Sequence, residues 1–345
     1  MLGLGRSRRT VGVDVGSARL KVAVVDHSRG TPRLQKAGVC SLDDDGGGSG
    51  GRGRAERAIR SLFEAERLPR RGVVCGVGGR DVIVKLVHVD RAWEERSREA
   101  IRRRASREVS LDPATVETDV HLVDAGGDSA RMAVLLVAAR RQIVADRIGL
   151  LEAAGLDPGV VDAEALALHN CVAFNHPEAT SGVVALACVG HRRTVLSVAD
   201  DGTPVLVRDL SLGTGDLHRR VCEEHGMSGR LASDVLRGRI RPLSRPVART
   251  IRRRARELAA AVERTSTFLE ERGSAAGVGS LYLSGGGARL PHLREVLADR
   301  LGVEVFTANP LQSLDSVPGA LDVPDVEDAL PLLVPAVGMG LRRPT

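Results

Sequence analysis

The sequence predicts an α/β fold built twice over, with two lobes facing a cleft and a small α+β unit inserted in the first lobe. Three observations predict it. Apolar strand runs are followed by glycine-containing turns at Asp14-Val15-Gly16-Ser17 and at residues 190–194, and a third strand runs into Gly285-Gly286-Gly287 before a helix. The three-strand set over 182–210 repeats the pattern at the N-terminus. Between the sets lies strand, helix, strand, strand, helix, the order of a small α+β insertion. A single glycine turn after a strand is usually only a turn. Three in this order, on the order of 100 residues or more apart, describe a nucleotide held between two halves of a clamp, because backbone N–H groups at such turns suit phosphate.

Each element follows from local pattern. Residues 10–26 read as two strands joined by a glycine turn, and 43–53 (DDDGGGSGGRG) as a surface loop with nothing to bury. A helix follows over 54–66, strands over 72–77 and 82–89, and a charged helix over 94–109 whose apolar stripe is Trp93, Ala100, Ile101 and Ala105. Strands at 116–123 and 130–138 precede a helix at 141–154, stopped by Gly155, and a segment from 160 runs into a helix over 163–174. After the second strand set come helices at 215–225, 231–237 and 247–272, the last with apolar Ile251, Leu258, Val262 and Leu269. A strand at 280–283, a helix from near Pro291, a strand at 304–307 and a helix at 330–341 complete the chain.

Composition narrows the function classes. The 345 residues make room for two or three domains. Hydrophobic residues are 43% but aromatics only 2%, so the core is Val, Leu, Ala and Ile, and a nucleic-acid binder built on stacking platforms is excluded. The formal charge of +6 is spread over mixed-sign stretches, and lysine occurs only at Lys21, Lys36 and Lys85. No apolar run reaches the ~18 residues of a membrane span, and the basic start lacks a signal-type apolar region. Five cysteines without CxxC spacing fit free thiols in a reducing cytoplasm. Common alternatives find no support: there is no GxxxxGK[ST] loop, the GxGxxG and GxSxG strings both fall in the 46–51 loop, and Leu212-Gly213-Thr214-Gly215 lacks a third glycine.

Several ordered segments carry a resemblance. Asp14-Val15-Gly16-Ser17 through Lys21 resembles the first phosphate motif of actin-like ATPases, and in detail that of the PilM family of type IV pilus assembly proteins, which is related to FtsA. The strand and helix run over 82–89, 101–108, 134–139 and 151–156 is similar to the family's, as are VDAEALAL at 161–168, RDLSLG at 208–213, LYLSGGGARLPHL at 281–293 and TANP at 307–310. The resemblance implies an actin-like, duplicated ribonuclease-H-like fold. Its divisions are a first lobe (1–78), an inserted α+β sub-domain (79–160), a return helix (161–180), a second lobe with an adenosine motif (181–330) and a C-terminal helix on the first lobe (331–345).

It also implies ATP with Mg²⁺ in the cleft. Nucleotide would be held by Asp14, Gly16, Ser17, Lys21, Gly190, Thr194, Gly213, Arg264, Gly285, Gly286 and Gly287, with Asp14 orienting the metal through water and Glu164 positioning a water. The sequence departs from the family where the metal would sit. Cys188 replaces the usual Asp, His191, Arg192 and Arg193 replace small residues in the second turn, and Ser233 and Leu236 stand where the family offers a Glu and a Lys. Each lost contact is worth on the order of 1–3 kcal/mol if buried, so the expectation is a degenerate site with weak or lost ATP binding. The implied role is a non-enzymatic scaffold, cytoplasmic and peripheral at the inner membrane, bound to the tail of a PilN-like membrane protein and to other pilus inner-membrane proteins. An active actin-fold ATPase and an FtsA-like divisome scaffold are the alternatives; the chain end after the last fold helix shows no amphipathic anchor of the FtsA kind.

Overall fold

The computed structural model describes residues 9–42, 51–90, 98–109, 112–123, 131–271, 277–321, 323 and 325–342. Most of the expected 43–53 loop, Trp93 and the first turn of the charged helix lie outside the described residues. Strands β1 (Arg9–Val15), β2 (Arg19–Asp26) and β3 (Arg33–Ser41) form an antiparallel meander, followed by α1 (Gly51–Ala65) and β4 (Val73–Val77). Gly51 and Gly53, expected in the loop, belong to the first turn of α1. The insert follows as β5 (Val82–Asp90), α2 (Arg98–Ala105), β6 (Val116–Val123) and β7 (Arg131–Arg140). The chain returns through α3 (Arg141–Ala153) and β8 (Pro158–Ala163) to α4 (Glu164–Asn175).

The second half comprises β9 (Val183–Val189), β10 (Thr194–Asp200), β11 (Thr203–Leu210), α5 (Thr214–His225), α6 (Gly229–Leu236), α7 (Arg245–Glu271), β12 (Ser280–Ser284), α8 (Leu293–Leu301) and β13 (Glu304–Thr307). A short β14 (Asp315–Ser316) and the terminal α9 (Val326–Leu341) follow. The repeat seen in the sequence is a repeat of topology. One sheet runs β14-β3-β2-β1-β4-β8, and the other contains β11-β10-β9-β12-β13 in the same relative order. In each, an antiparallel meander is extended by parallel strands, the parallel pairs being β1 with β4, β4 with β8, β9 with β12 and β12 with β13. The insert strands β5, β7 and β6 continue the second sheet from β11, joined by one residue pair, Leu206 with Lys85.

Two boundaries differ from the sequence reading. The insert expected over 79–160 takes in α3 and the first half of β8, yet Leu150, Leu151 and Ala154 pack with Val11, Val13, Ile59 and Phe63, and β8 pairs with β4. These two elements are the crossover of the first lobe; periodicity alone cannot tell which core a helix joins. The last helix starts at Val326 instead of 330 because the Asp325 carboxylate caps it, accepting from the Asp328 N–H at 3.0 Å.

Helices α4 and α9 lie between the two sheets. Leu168 and Val172 of α4 and Leu333, Val334 and Val337 of α9 share one core with Ala23 and Val25 of β2 and with Val184 and Leu186 of β9. Both lobes therefore rest on the same helix pair. No described helix is long and apolar enough to cross a membrane.

Candidate functional site

The turns that close the two meanders face each other across a cleft of about 820 Å³. On the first side, the β1–β2 register sets Asp14 opposite Lys21. Their side chains form a 2.6 Å ion pair that is about nine-tenths buried, so the lysine's charge is matched before any phosphate arrives. The Gly16 N–H donates to the Arg19 carbonyl at 3.0 Å and closes the turn. A Cβ at Gly16 would stand 2.9 Å from the Arg19 carbonyl oxygen, a backbone atom that cannot swing aside, which favours the glycine.

The second turn copies the first. The Gly190 N–H donates to the Arg193 carbonyl at 2.9 Å, which makes Arg193 the counterpart of Arg19. Its side chain reaches two carboxylates: Nη2 donates to Glu164 Oε2 while Nη1 donates to Asp209 Oδ1. Glu164 opens α4 on the first-lobe side, and Asp209 lies on β11 of the second. One guanidinium thus spans the cleft. The end of β4 backs it closely, since a Cβ on Gly78 would fall 2.7 Å from Arg193 Nη2 and 2.8 Å from Glu164 Oε2. Burial raises the Glu164 carboxyl above the usual range, Arg193 pulls it back, and nearby Asp14 pushes the same way as burial. The residue nominated to position a water is held by an arginine.

Cys188 stands two residues before Gly190, as Asp14 stands two before Gly16. Burial pushes its thiol up to about 11, so it stays protonated near neutral pH. Mg²⁺ takes oxygen ligands in octahedral geometry. A neutral thiol and a lysine-paired Asp14 are a poor donor set for it, and among the described residues no three His, Cys, Asp or Glu side chains cluster as a metal site would need.

A family model described as type IV pilus assembly protein PilM matches residues 12–344. The chain belongs to the PilM family. Among solved structures, the PilM-PilN type IV pilus biogenesis complex is similar at 24% identity over 99% of this chain and 100% of that one, with a TM-score of 0.81. The ethanolamine utilization protein EutJ from Carboxydothermus hydrogenoformans is similar at 17% identity over 96% and 89%, TM-score 0.53. Component A of the (R)-2-hydroxyglutaryl-CoA dehydratase of Acidaminococcus fermentans follows at 13% identity over 97% of each chain, TM-score 0.51. These likenesses, with the duplicated sheets, establish the actin-like fold.

Within this PilM-family chain the glycines at 285–287, expected to hold nucleotide, are held by their own packing. Gly285, at φ +77°, donates its N–H to the Pro331 carbonyl at 2.8 Å. That carbonyl is open because Pro335, four residues on, has no N–H to return to it. Gly287 donates to the Val189 carbonyl at 2.9 Å, and a Cβ there would lie 2.3 Å from Val189 Cγ1. Thr194 is fully buried with its hydroxyl on the Leu212 carbonyl, and a Cβ at Gly213 would sit 2.1 Å from the His191 carbonyl. The cleft brings together Asp14, Gly16, Ser17, Lys21, Glu164, Cys188, Gly190, Gly285 and Gly286. Thr194, Gly213 and Gly287 instead brace it from behind. Arg264 lies elsewhere, beside a separate depression with Glu257 and residues 209–212.

At the other end of the PilM-family cleft, Ser233 and Leu236 do line the wall, with Ser233 Oγ 3.1 Å from His218 Nε2. Arg239 and Arg289 both reach Asp328 at 3.2 Å, tying the second lobe to the start of α9. Sequence reasoning missed Arg147 of α3, which donates to the Val15 carbonyl at 3.3 Å and lines the cleft. It also missed Asp209 as Arg193's second partner. Neither has a local signal, because each acts through a contact distant in sequence.

Proposed function

We propose that this chain is a scaffold of a type IV pilus assembly machine, with a nucleotide site too altered to hydrolyse ATP at more than a very slow rate. The observation that carries the reading is Arg193, whose guanidinium joins Glu164 to Asp209 across the cleft; on this reading it takes up the space that a γ-phosphate and its water would need. The lysine-paired Asp14 and the neutral Cys188 support it, since they leave Mg²⁺ without its carboxylate. ATP with Mg²⁺ binds weakly or not at all. The partner is the cytoplasmic tail of a PilN-like inner-membrane protein, held as an extended peptide by backbone hydrogen bonds and a few side-chain pockets in a groove between the first lobe and its insert. The similar solved complex of PilM with PilN supports this assignment. The chain works in the cytoplasm, peripheral at the inner membrane through that partner, together with other pilus inner-membrane proteins.

Calorimetric titration tests both halves. Wild-type protein is expected to give no saturable heat with ATP and Mg²⁺ below the millimolar range. The Cys188→Asp/Arg193→Ala variant is expected to bind at least tenfold more tightly, a gain of ~1.4 kcal/mol or more, and only with Mg²⁺ present. A synthetic PilN-type N-terminal tail is expected to bind the wild type without nucleotide. Micromolar ATP binding with measurable turnover in the wild type overturns the degenerate-site reading, and a silent peptide titration overturns the partner.

A further inference from the structure

The charge of this chain is not evenly spread. Residues 214–257, which cover α5, α6 and the first half of α7, hold 12 of the 50 cationic side chains and only 5 of the 44 acidic ones. The remainder of the chain holds 38 against 39, so the whole net positive charge resides in this one segment of the second lobe. Within it, α7 sorts its arginines by face. Arg254 turns inward to Asp216 and Glu257, and Arg253 meets Glu224 at 2.7 Å. Arg245, Arg249, Arg252 and Arg256 fall at i, i+4, i+7 and i+11, which places them on one stripe about 16 Å long at 1.5 Å rise per residue. All four are exposed, and none forms an ion pair among the described residues.

We propose that this arginine stripe is a membrane-contact surface that binds anionic lipid headgroups. A straight row of exposed guanidiniums, unpaired among the described residues, matches a plane of phosphates. Single-stranded nucleic acid would ask for aromatic stacking side chains as well, and aromatics are 2% of the chain. Leu231, 41% exposed on α6 beside Arg230, adds an apolar contact in the same segment. The choice of a membrane over an acidic protein rests on the proposed assembly role, in which a PilN-like tail already brings the chain to the bilayer. The stripe then acts as a second, weak attachment, and two linked contacts hold far better than either alone.

The test uses the full chain with neither partner nor nucleotide, so its outcome is independent of the PilN reading. Co-sedimentation is measured with phosphatidylglycerol–phosphatidylcholine vesicles and with pure phosphatidylcholine vesicles. Each cation at an anionic surface is worth roughly a fivefold gain in partitioning. Binding to the anionic vesicles at about 50 mM salt is therefore expected to fall at least ~50-fold in Arg245→Gln/Arg249→Gln/Arg252→Gln/Arg256→Gln, and steeply in the wild type as salt is raised. Pure phosphatidylcholine should not bind. The unfolding midpoint of the variant checks that it folds; if it does not, the Arg249→Gln/Arg252→Gln pair is read instead, with a loss of at least ~10-fold expected. Absence of binding to anionic vesicles at low salt, equal binding by the variant, or binding to polyglutamate with none to vesicles overturns the proposal, the last in favour of an acidic protein.

Discussion

Gly338→Ala is expected to destabilise this protein by about 3 kcal/mol or more, the upper end of what overpacking costs, or to leave no folded protein. Helix propensity points the other way, since alanine in a helix interior is favoured over glycine by ~0.5–1 kcal/mol. Packing decides the sign. Helix α9 crosses α4 so closely that a Cβ on Gly338 would lie 1.7 Å from the Ala167 carbonyl oxygen and 2.6 Å from its carbon. On its other flank, a Cβ on Gly12 of β1 would stand 2.0 Å from the Ala336 carbonyl. Both neighbours are backbone and cannot rotate aside. The helix that must move also carries Leu333, Val334, Ala336, Val337 and Met339, all fully buried, and joins both lobes. Gly149→Ala in α3 is the control: the nearest atom to its Cβ is the tip of Arg52 at 3.0 Å, and a neutral or slightly stabilising result is expected. Chemical denaturation of the two variants separates the cases, and a Gly338→Ala protein as stable as wild type would refute the packing account.

What the sequence made legible was what local chemistry determines. The β1–β2 hairpin, the glycine turn after it and their repetition at β9–β10 follow from alternation and small residues, and the identical strand orders show why the repeat was visible at all. Cys188 in place of a carboxylate was equally readable, because its offset from Gly190 matches that of Asp14 from Gly16. Partner choice was not. Arg193 read as an arginine in place of a small residue, whereas its charge is engaged by Glu164, 29 residues earlier, and Asp209, 16 residues later. The glycines at 285–287 read as holding a nucleotide, while a Cβ at Gly285 or Gly287 would already meet Val189, at 2.6 and 2.3 Å. The insert boundary at 160 erred for the same reason, since only tertiary packing assigns α3 to the first lobe.

Arg193→Ala is expected to cost about 2–4 kcal/mol of stability at neutral pH, somewhat below the 3–5 of a fully buried pair because the arginine side chain is 30% exposed. The loss comes from stranding two carboxylates, Glu164 and Asp209, whose side chains are only 18% and 14% exposed. It depends on pH in a fixed direction. Glu164 already has a raised value in the folded chain, so the native state binds its proton more readily than the unfolded state does. Its contribution is full below the ordinary value of 4.5 and is lost as pH rises through the folded value. Without the guanidinium that folded value climbs further and the window widens, so the deficit of the variant shrinks toward pH 5 and grows toward pH 8. Adding Glu164→Gln removes the stranded charge and is expected to recover ~1–2 kcal/mol at neutral pH, the range for relieving an uncompensated buried group, and to flatten the pH dependence. Urea titrations of both variants at several pH values read this directly. A deficit for Arg193→Ala that is the same at pH 5 and pH 8 would mean that Glu164 is not the group its guanidinium neutralises, and the bridge across the cleft would lose its role in holding the lobes.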